Sequence, residues 1–329
     1  MSRLRLGVPL SLSGKHARFG KQAGLGLDIW RSVNESVELI VEDDRSDPEV
    51  LERVLRRLSS RCDLLLGPYS TQLMRRAGQV AAELDRLIWN HGGSGDDVET
   101  AQPGHVVSVL TPTSRYAEPF IRRVARDPLW VAAGKGSFGR QVAAGAESCA
   151  NELGIRVVRI RPGDALPSAQ DNPWSLFCAG SFAEDVEVIK RALAGGPQVI
   201  CAVAAGVREF GEAVDDPRGI YGVGQWFPES GGGAVEVGMA EGDFVGAYRD
   251  RAGAPPDYPA VQAAAAAIIA NHCAAQAGGA GREELWAVAS GLEITTLFGV
   301  FKIDPRTGAQ VGHRAVLTRW ETDGPVATG

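Results

Sequence analysis

Apolar and polar positions along the chain fall into short apolar runs alternating with stretches of helical period. Leu4, Leu6 and Val8 alternate with polar or small neighbours, as in a strand, and LSLSGKHARFG after them reads as a glycine-closed loop. From about Lys21 to Ser32, Ala23, Leu27 and Trp30 fall near one helical face. VELIVEDDRSDP predicts a strand ended by acids and Pro48, and EVLERVLRRL an amphipathic helix. Asp63 to Gly95 then holds a whole βαβ unit. It has an apolar run ending at Gly67-Pro68, a helix opened by Ser70 and Thr71, and a second run ending in Gly92-Gly93-Ser94-Gly95. HVVSVLTP supplies one more strand. Alternation of this kind predicts a parallel sheet with helices on both faces, and strand ends that share an edge with helix starts.

The pattern then repeats. YAEPFIRRVAR reads as a helix, PLWVAAGKGSFG as a strand and glycine-rich turn, RQVAAGAESCANELG as a helix, and IRVVRIRPGD as a strand. After a polar stretch at Asn172-Pro173 come a helix capped by Ser181, the buried strand PQVICAVAAG, and a last helix and strand in REFGEAVDD and IYGVGQWF. From about Gly231 the tail holds GDFVGAYRDRAG, an alanine-rich helix and REELWAVASGL. Two antiparallel-looking strands, TTLFGVFKIDPRTG and HRAVLTRWE, close it. It is too small for a third domain and is expected to complete the first two. The fold class is α/β, with two Rossmann-like lobes.

The length of 329 residues suits two domains, and 44% apolar with 22% charged residues is an ordinary globular balance. A net charge of -6 argues against a nucleic-acid or anionic-membrane partner. The arginines at 53, 56, 57, 122, 123 and 126 have the spacing of solvated helix faces. Cys62, Cys149, Cys178, Cys201 and Cys273 have no metal-ligand spacing, so no metal is expected, and they read as small buried hydrophobes. AVQAAAAAIIANHCAA, broken by Gln262, Asn271 and His272, falls short of about 18 uninterrupted apolar residues, so no direct membrane insertion is expected.

Three features carry candidate chemistry. Ser70 can cap its helix or point its hydroxyl at a bound carboxylate. GKGSFG, Gly134 to Gly139, has the form of a dinucleotide fingerprint, but the next strand ends in arginines where a ribose-binding acid belongs. A tight turn presenting Phe138 is therefore the expectation, with no cofactor, and an NAD(P)-dependent oxidoreductase is the alternative from another class. His91 is expected to face water. The pairs Asp43-Asp44, Asp96-Asp97 and Asp215-Asp216 read as solvated turn residues.

LSGKHARFGKQAGLGLDIW, EDDRSDPEVLERVLRRL, LLLGPYST, NHGGSGDD, FKIDPRTGAQVG and VLTRWE together resemble the type I periplasmic binding proteins of ABC transporters. The leucine/isoleucine/valine-binding proteins and the related amide sensor are the nearest in pattern. The resemblance implies two parallel-sheet lobes joined by three crossovers, here 1–112 with 236–313 and 113–235 with 314–329. It also implies a non-enzymatic receptor for a small polar ligand (an amino acid, amide or carboxylate) held in a cleft between the lobes and presented to a membrane permease. The ligand-binding residues implied by position are Phe19, Tyr69, Ser70, Thr71, Gly92, Gly93, Ser94, Phe138, Gln225 and Trp226. Trp226 could equally be a lobe-surface aromatic. Amino-acid binders place an acid near Gln225-Trp226 to meet the ammonium, so an amide, carboxylate or aromatic ligand gains weight here. The implied location is extracytoplasmic if a leader was removed, and the alternative is a cytoplasmic amide sensor acting on a regulatory partner.

Overall fold

The computed structural model describes residues 3–167, 173–230 and 234–328. Its chain forms two compact units, Met1–Thr111 with Gly231–His313 and Pro112–Ser230 with Arg314–Gly329. The polar stretch expected at Asn172 and the start of the tail at Gly231 lie outside the described residues.

In the first unit β1 (Leu4–Leu10) buries Leu6, Val8 and Leu10 as an interior strand of a sheet. Parallel neighbours are β2 (Val37–Asp43) on one side and β3 (Leu64–Leu66), β4 (Ile88–Asn90) and β5 (Val106–Ser108) on the other, giving the order β2-β1-β3-β4-β5. β3 and β4 are buried at every position, which is why they read as continuous apolar runs. The connections are α1 (Ala17–Ser32), α2 (Pro48–Ser59) and α3 (Thr71–Glu83). Asp47 caps α2 through the N–H groups of Glu49 and Val50, and Pro48 takes the first helical position. α1 begins at Ala17, earlier than the sequence suggests. Gly20 lies within it because a Cβ there would stand 2.1 Å from the Ser11 carbonyl oxygen.

The second unit repeats the scheme. β6 (Leu129–Ala133) lies between β7 (Val157–Ile160) and β8 (Ser175–Ala179), followed by β9 (Val199–Ala202) and β10 (Tyr221–Gly224), in the order β7-β6-β8-β9-β10. Helices α4 (Glu118–Arg123), α5 (Ser137–Glu152), α6 (Phe182–Ala192) and α7 (Phe210–Ala213) connect them. β8 is not among the elements expected from the sequence, although its Cys178 is expected to be a small buried hydrophobe. All five of its residues are buried, so it shows no alternation. The helix expected in REFGEAVDD shrinks to the single turn α7.

The tail divides between the units. α8 (Glu241–Ala252), α9 (Tyr258–Ala277), α10 (Arg282–Gly291) and the hairpin β11 (Ile294–Thr296) with β12 (Gly299–Phe301) belong to the first, and β13 (Val316–Glu321) and β14 (Gly324–Ala327) to the second. The two closing strands expected to run antiparallel do not pair with each other. TTLFGVF folds back on itself at Gly299, whose φ is 115°, and β13 adds antiparallel to β10, making the second sheet mixed. α9 packs so closely on α1 that a Cβ at Gly26 would meet the Ala260 carbonyl oxygen at 2.2 Å.

Candidate functional site

In the first sheet β1 is flanked by β2 and β3, so the loops after β1 and β3 diverge at the carboxyl edge. Open α/β sheets form a crevice at such a point. Phe19 follows β1 and Tyr69 follows β3, and their rings stack with centroids 4.5 Å apart. The guanidinium of Arg18 lies 5.6 Å from the centre of the Phe19 ring. Tyr69 Oη is 2.6 Å from Oη of Tyr258, the first residue of α9. Sequence reasoning missed Tyr258, which carries no motif and lies 189 positions from its partner. The loop after β1 is fastened by Asp43, which accepts from the N–H groups of Leu12 and Ser13, and by Asp44, which accepts from Ser11 Oγ at 2.7 Å. Asp44 is fully buried, contrary to the solvated reading of that pair.

Ser70 caps α3. Its N–H donates to the Gly92 carbonyl at 2.9 Å, its Oγ accepts from the Leu73 N–H at 3.4 Å, and its backbone has φ 95°. The N–H groups of Thr71 and Gln72 open the helix without a preceding helical carbonyl. Thr71 Oγ1 accepts from the Gly95 N–H at 3.1 Å. The N–H groups of Gly92 and Gly93 both donate to Asn90 Oδ1, at 3.1 and 2.8 Å, so these glycines shape the edge by way of a buried amide. A Cβ at Gly92 would stand 2.4 Å from the Pro68 carbonyl oxygen, which excludes other residues. Phe19 in the first turn of α1 and Thr71 at the start of α3, with Tyr69, Ser70, Gly92, Gly93 and Ser94 in the adjoining loops, therefore lie at one edge of the first unit.

Two buried groups lie behind this edge. His91, expected to face water, is wholly buried one residue past β4. Neither ring nitrogen has a hydrogen-bond partner among the described residues. Burial lowers its pKa to about 4, and the Gly67 and His91 backbone, near the ring but not in bonding geometry, offset only part of this. Glu99 is pushed up to about 7 by burial, against the hydrogen bonds from Ser108 and Asn90.

The second unit has its own diverging point between β6 and β8. Phe138, in the first turn of α5, meets Tyr116 edge-on at 5.7 Å. Just past β10, Gln225 Nε2 donates to Tyr116 Oη at 2.6 Å, and both residues are buried. Tyr116 thus joins two residues expected at the site, and sequence reasoning missed it too. Trp226 is only 3% exposed, and its indole N–H has no acceptor among the described residues.

The GKGSFG turn is occupied by the protein itself. The Lys135 N–H donates to Glu184 Oε1 at 3.1 Å, and the same carboxylate accepts from the Ser181 N–H and hydroxyl. Those backbone bonds hold Glu184 below its ordinary pKa. A pyrophosphate at this turn would meet an anion, which removes the ground for dinucleotide binding. Among the described residues no three His, Cys, Asp or Glu side chains gather as a metal site would need, and no helix is long and apolar enough to cross a membrane. The five cysteines are buried free thiols.

A family model described as periplasmic binding protein matches residues 3–325. No curated protein matches the chain. Among solved structures, a leucine binding protein (LivK) from Thermotoga maritima is 18% identical over 99% of this chain and 98% of its own, with a TM-score of 0.79. A solute binding protein of an ABC transporter from Rhodopseudomonas palustris, in complex with 3,4-dihydroxybenzoic acid, is 15% identical over 100% and 96%, with a TM-score of 0.78. The branched-chain amino acid binding protein LivJ from Streptococcus pneumoniae, in complex with isoleucine, is 16% identical over 99% of both chains, with a TM-score of 0.73.

Proposed function

The chain belongs to the periplasmic binding protein family, and from that premise we propose that it is the extracytoplasmic solute-binding component of an ABC transporter, a receptor and not an enzyme. It recognises a small organic carboxylate or amide and delivers it to a membrane permease. Relatives of the same fold in complex with isoleucine and with 3,4-dihydroxybenzoic acid support a ligand of this size and polarity. The residues assigned to recognition are Phe19, Tyr69, Ser70, Thr71, Gly92, Gly93 and Ser94 of the first unit, with Phe138, Gln225 and Trp226 of the second.

The observation that carries the ligand class is the buried indole N–H of Trp226, a donor without an acceptor next to the neutral amide of Gln225. A buried donor left unmet costs about 1–3 kcal/mol, and a carboxylate or carbonyl oxygen would meet it. Neither residue is an anion, so an ammonium gains nothing from them.

Thermal unfolding with benzoate, 3,4-dihydroxybenzoate, benzamide, L-leucine and NAD tests the proposal, since a ligand at 100 times its Kd adds about 2.7 kcal/mol. An acid or amide is expected to raise Tm more than leucine does. Stabilisation by NAD alone overturns the reading. Trp226→Phe keeps the aromatic surface and deletes the donor, so affinity for the best probe should fall roughly tenfold. Unchanged affinity removes Trp226 from the site.

A further inference from the structure

The edge of the first unit rests on a buried acid that the proposed function does not use. Glu99 is 4% exposed. It accepts a hydrogen bond from the hydroxyl of Ser108 on β5, and that hydroxyl accepts from Asn90 Nδ2 at 2.6 Å. The other contacts of the Asn90 amide are all local. Its Nδ2 donates to the Gly93 carbonyl at 2.7 Å and lies 3.4 Å from Glu99 Oε1, while its Oδ1 takes the N–H groups of Gly92 and Gly93. Asn90 and Ser108 are fully buried, so no water competes for these bonds. The amide can sit only one way round, because Oδ1 faces two donors while Nδ2 faces acceptors. A continuous hydrogen-bonded chain therefore runs from the Glu99 carboxyl to the turn whose carbonyl at Gly92 takes the Ser70 N–H.

We propose that Glu99 is a positioning residue for the Gly92–Gly93 turn, acting through Ser108 and Asn90, so that its protonation state adjusts the turn on which Ser70 is held. This rests on the reading of that turn as part of the solute site. Among the described residues no basic side chain pairs with the carboxyl to pin its charge. On its own segment stand Asp96, which raises its pKa, and Asp97, which is paired with Arg75 of α3. On α3, Arg76 pairs with Glu52 and Glu83 with Arg56. β4 is followed by the buried His91, and β5 is preceded by His105, whose Nδ1 is 3.1 Å from the Arg86 carbonyl oxygen. Adding or removing the proton therefore changes the charge at the end of the chain without an ion pair to absorb it. Ser108 carries that change to Asn90 as a stronger or weaker acceptor bond.

The test uses the whole protein labelled with 15N-glycine, without solute, so that it does not depend on the ligand assignment. The Gly92 and Gly93 amide resonances should move sigmoidally with pH, with a midpoint near the value of about 7 expected for Glu99. Glu99→Gln, nearly the same shape without the charge, should abolish that step and leave the other glycines unmoved. Ser108→Ala should break the link and suppress it, and Ser108→Thr should restore it. Persistence of the step in Glu99→Gln overturns the proposal, as does its absence from the unmodified protein. A second arm measures affinity for benzoate from pH 5.5 to 8.5. The unmodified protein should show a pH-dependent Kd that Glu99→Gln flattens. If no solute binds while the glycine step follows Glu99, the solute reading fails and the positioning role stands.

Discussion

The hydroxyls of Tyr69 and Tyr258 lie 2.6 Å apart and tie the turn after β3 to the first residue of α9. This bond joins the sheet edge to a helix that the chain supplies only after it has built the second unit. Tyr258→Phe removes one hydroxyl and keeps the ring. Urea unfolding should show a loss of about 1 kcal/mol, the usual net worth of such a bond. A larger loss of solute affinity than of stability would mark the bond as fixing Tyr69 for recognition. Equal affinity in the variant would make it a staple only.

Ser70 has φ 95°, a conformation that L side chains adopt at a cost of about 1–3 kcal/mol. Its hydroxyl is a weak cap, 3.4 Å from the Leu73 N–H. Ser70→Gly relieves the strain and loses a few tenths of a kcal/mol in capping, so it should raise stability by about 1 kcal/mol on balance. The same change deletes the hydroxyl and should weaken solute binding. Greater stability with unimpaired binding would mean that the strain serves nothing at this edge.

The outline of the fold was legible because it rests on local signals. Ser70 before a helix-period run, Pro48 at the start of α2 and the glycines after IWN each announce their own geometry. What stayed hidden depends on partners far along the chain. His91 is wholly buried although its place in a loop before Gly92 suggests water, and Tyr69 finds its partner at position 258. Local pattern could place Gln225 and Trp226 past a strand, yet the hydrogen bond of the buried Gln225 goes to Tyr116, 109 positions away. β8 was lost to the element count for the opposite reason. Its apolar run is only four residues, Leu176 to Ala179, and a run that short without alternation does not separate a buried strand from a buried helix segment.

Asp185 is buried in the second unit and accepts from the Gly180 N–H at 2.7 Å and the Ala204 N–H at 3.0 Å. Burial outweighs those bonds and pushes its pKa up to about 7, from 3.8. Between pH 4 and pH 7 the unfolded chain releases this proton while the folded chain keeps it. Its contribution is therefore complete below pH 4 and is lost as pH rises to 7, by at most about 4 kcal/mol. Asp185→Asn keeps a neutral side chain at every pH. The difference in unfolding free energy between the two proteins should change across that window and be flat outside it. A difference independent of pH would show that the carboxylate is ionised in the fold at pH 4.

His91 titrates in the opposite sense. Its folded value of about 4 lies below the ordinary 6.5, so below pH 6.5 the unfolded chain takes up a proton that the buried ring refuses. Stability from this residue is complete above pH 6.5 and is lost as pH falls towards 4, by roughly 3 kcal/mol. Both ring nitrogens are buried without partners, so an apolar side chain of similar size should be tolerated. His91→Met is expected to match or exceed the parent at pH 8, and its advantage should grow by about 2 kcal/mol at pH 5, measured by urea unfolding at the two pH values. Destabilisation at both would mean that the imidazole is satisfied by an internal water bridging to a buried polar group such as Trp89 Nε1, another unpartnered donor of β4. In that case the edge of the first unit would rest on a hydrated interior in place of a dry one.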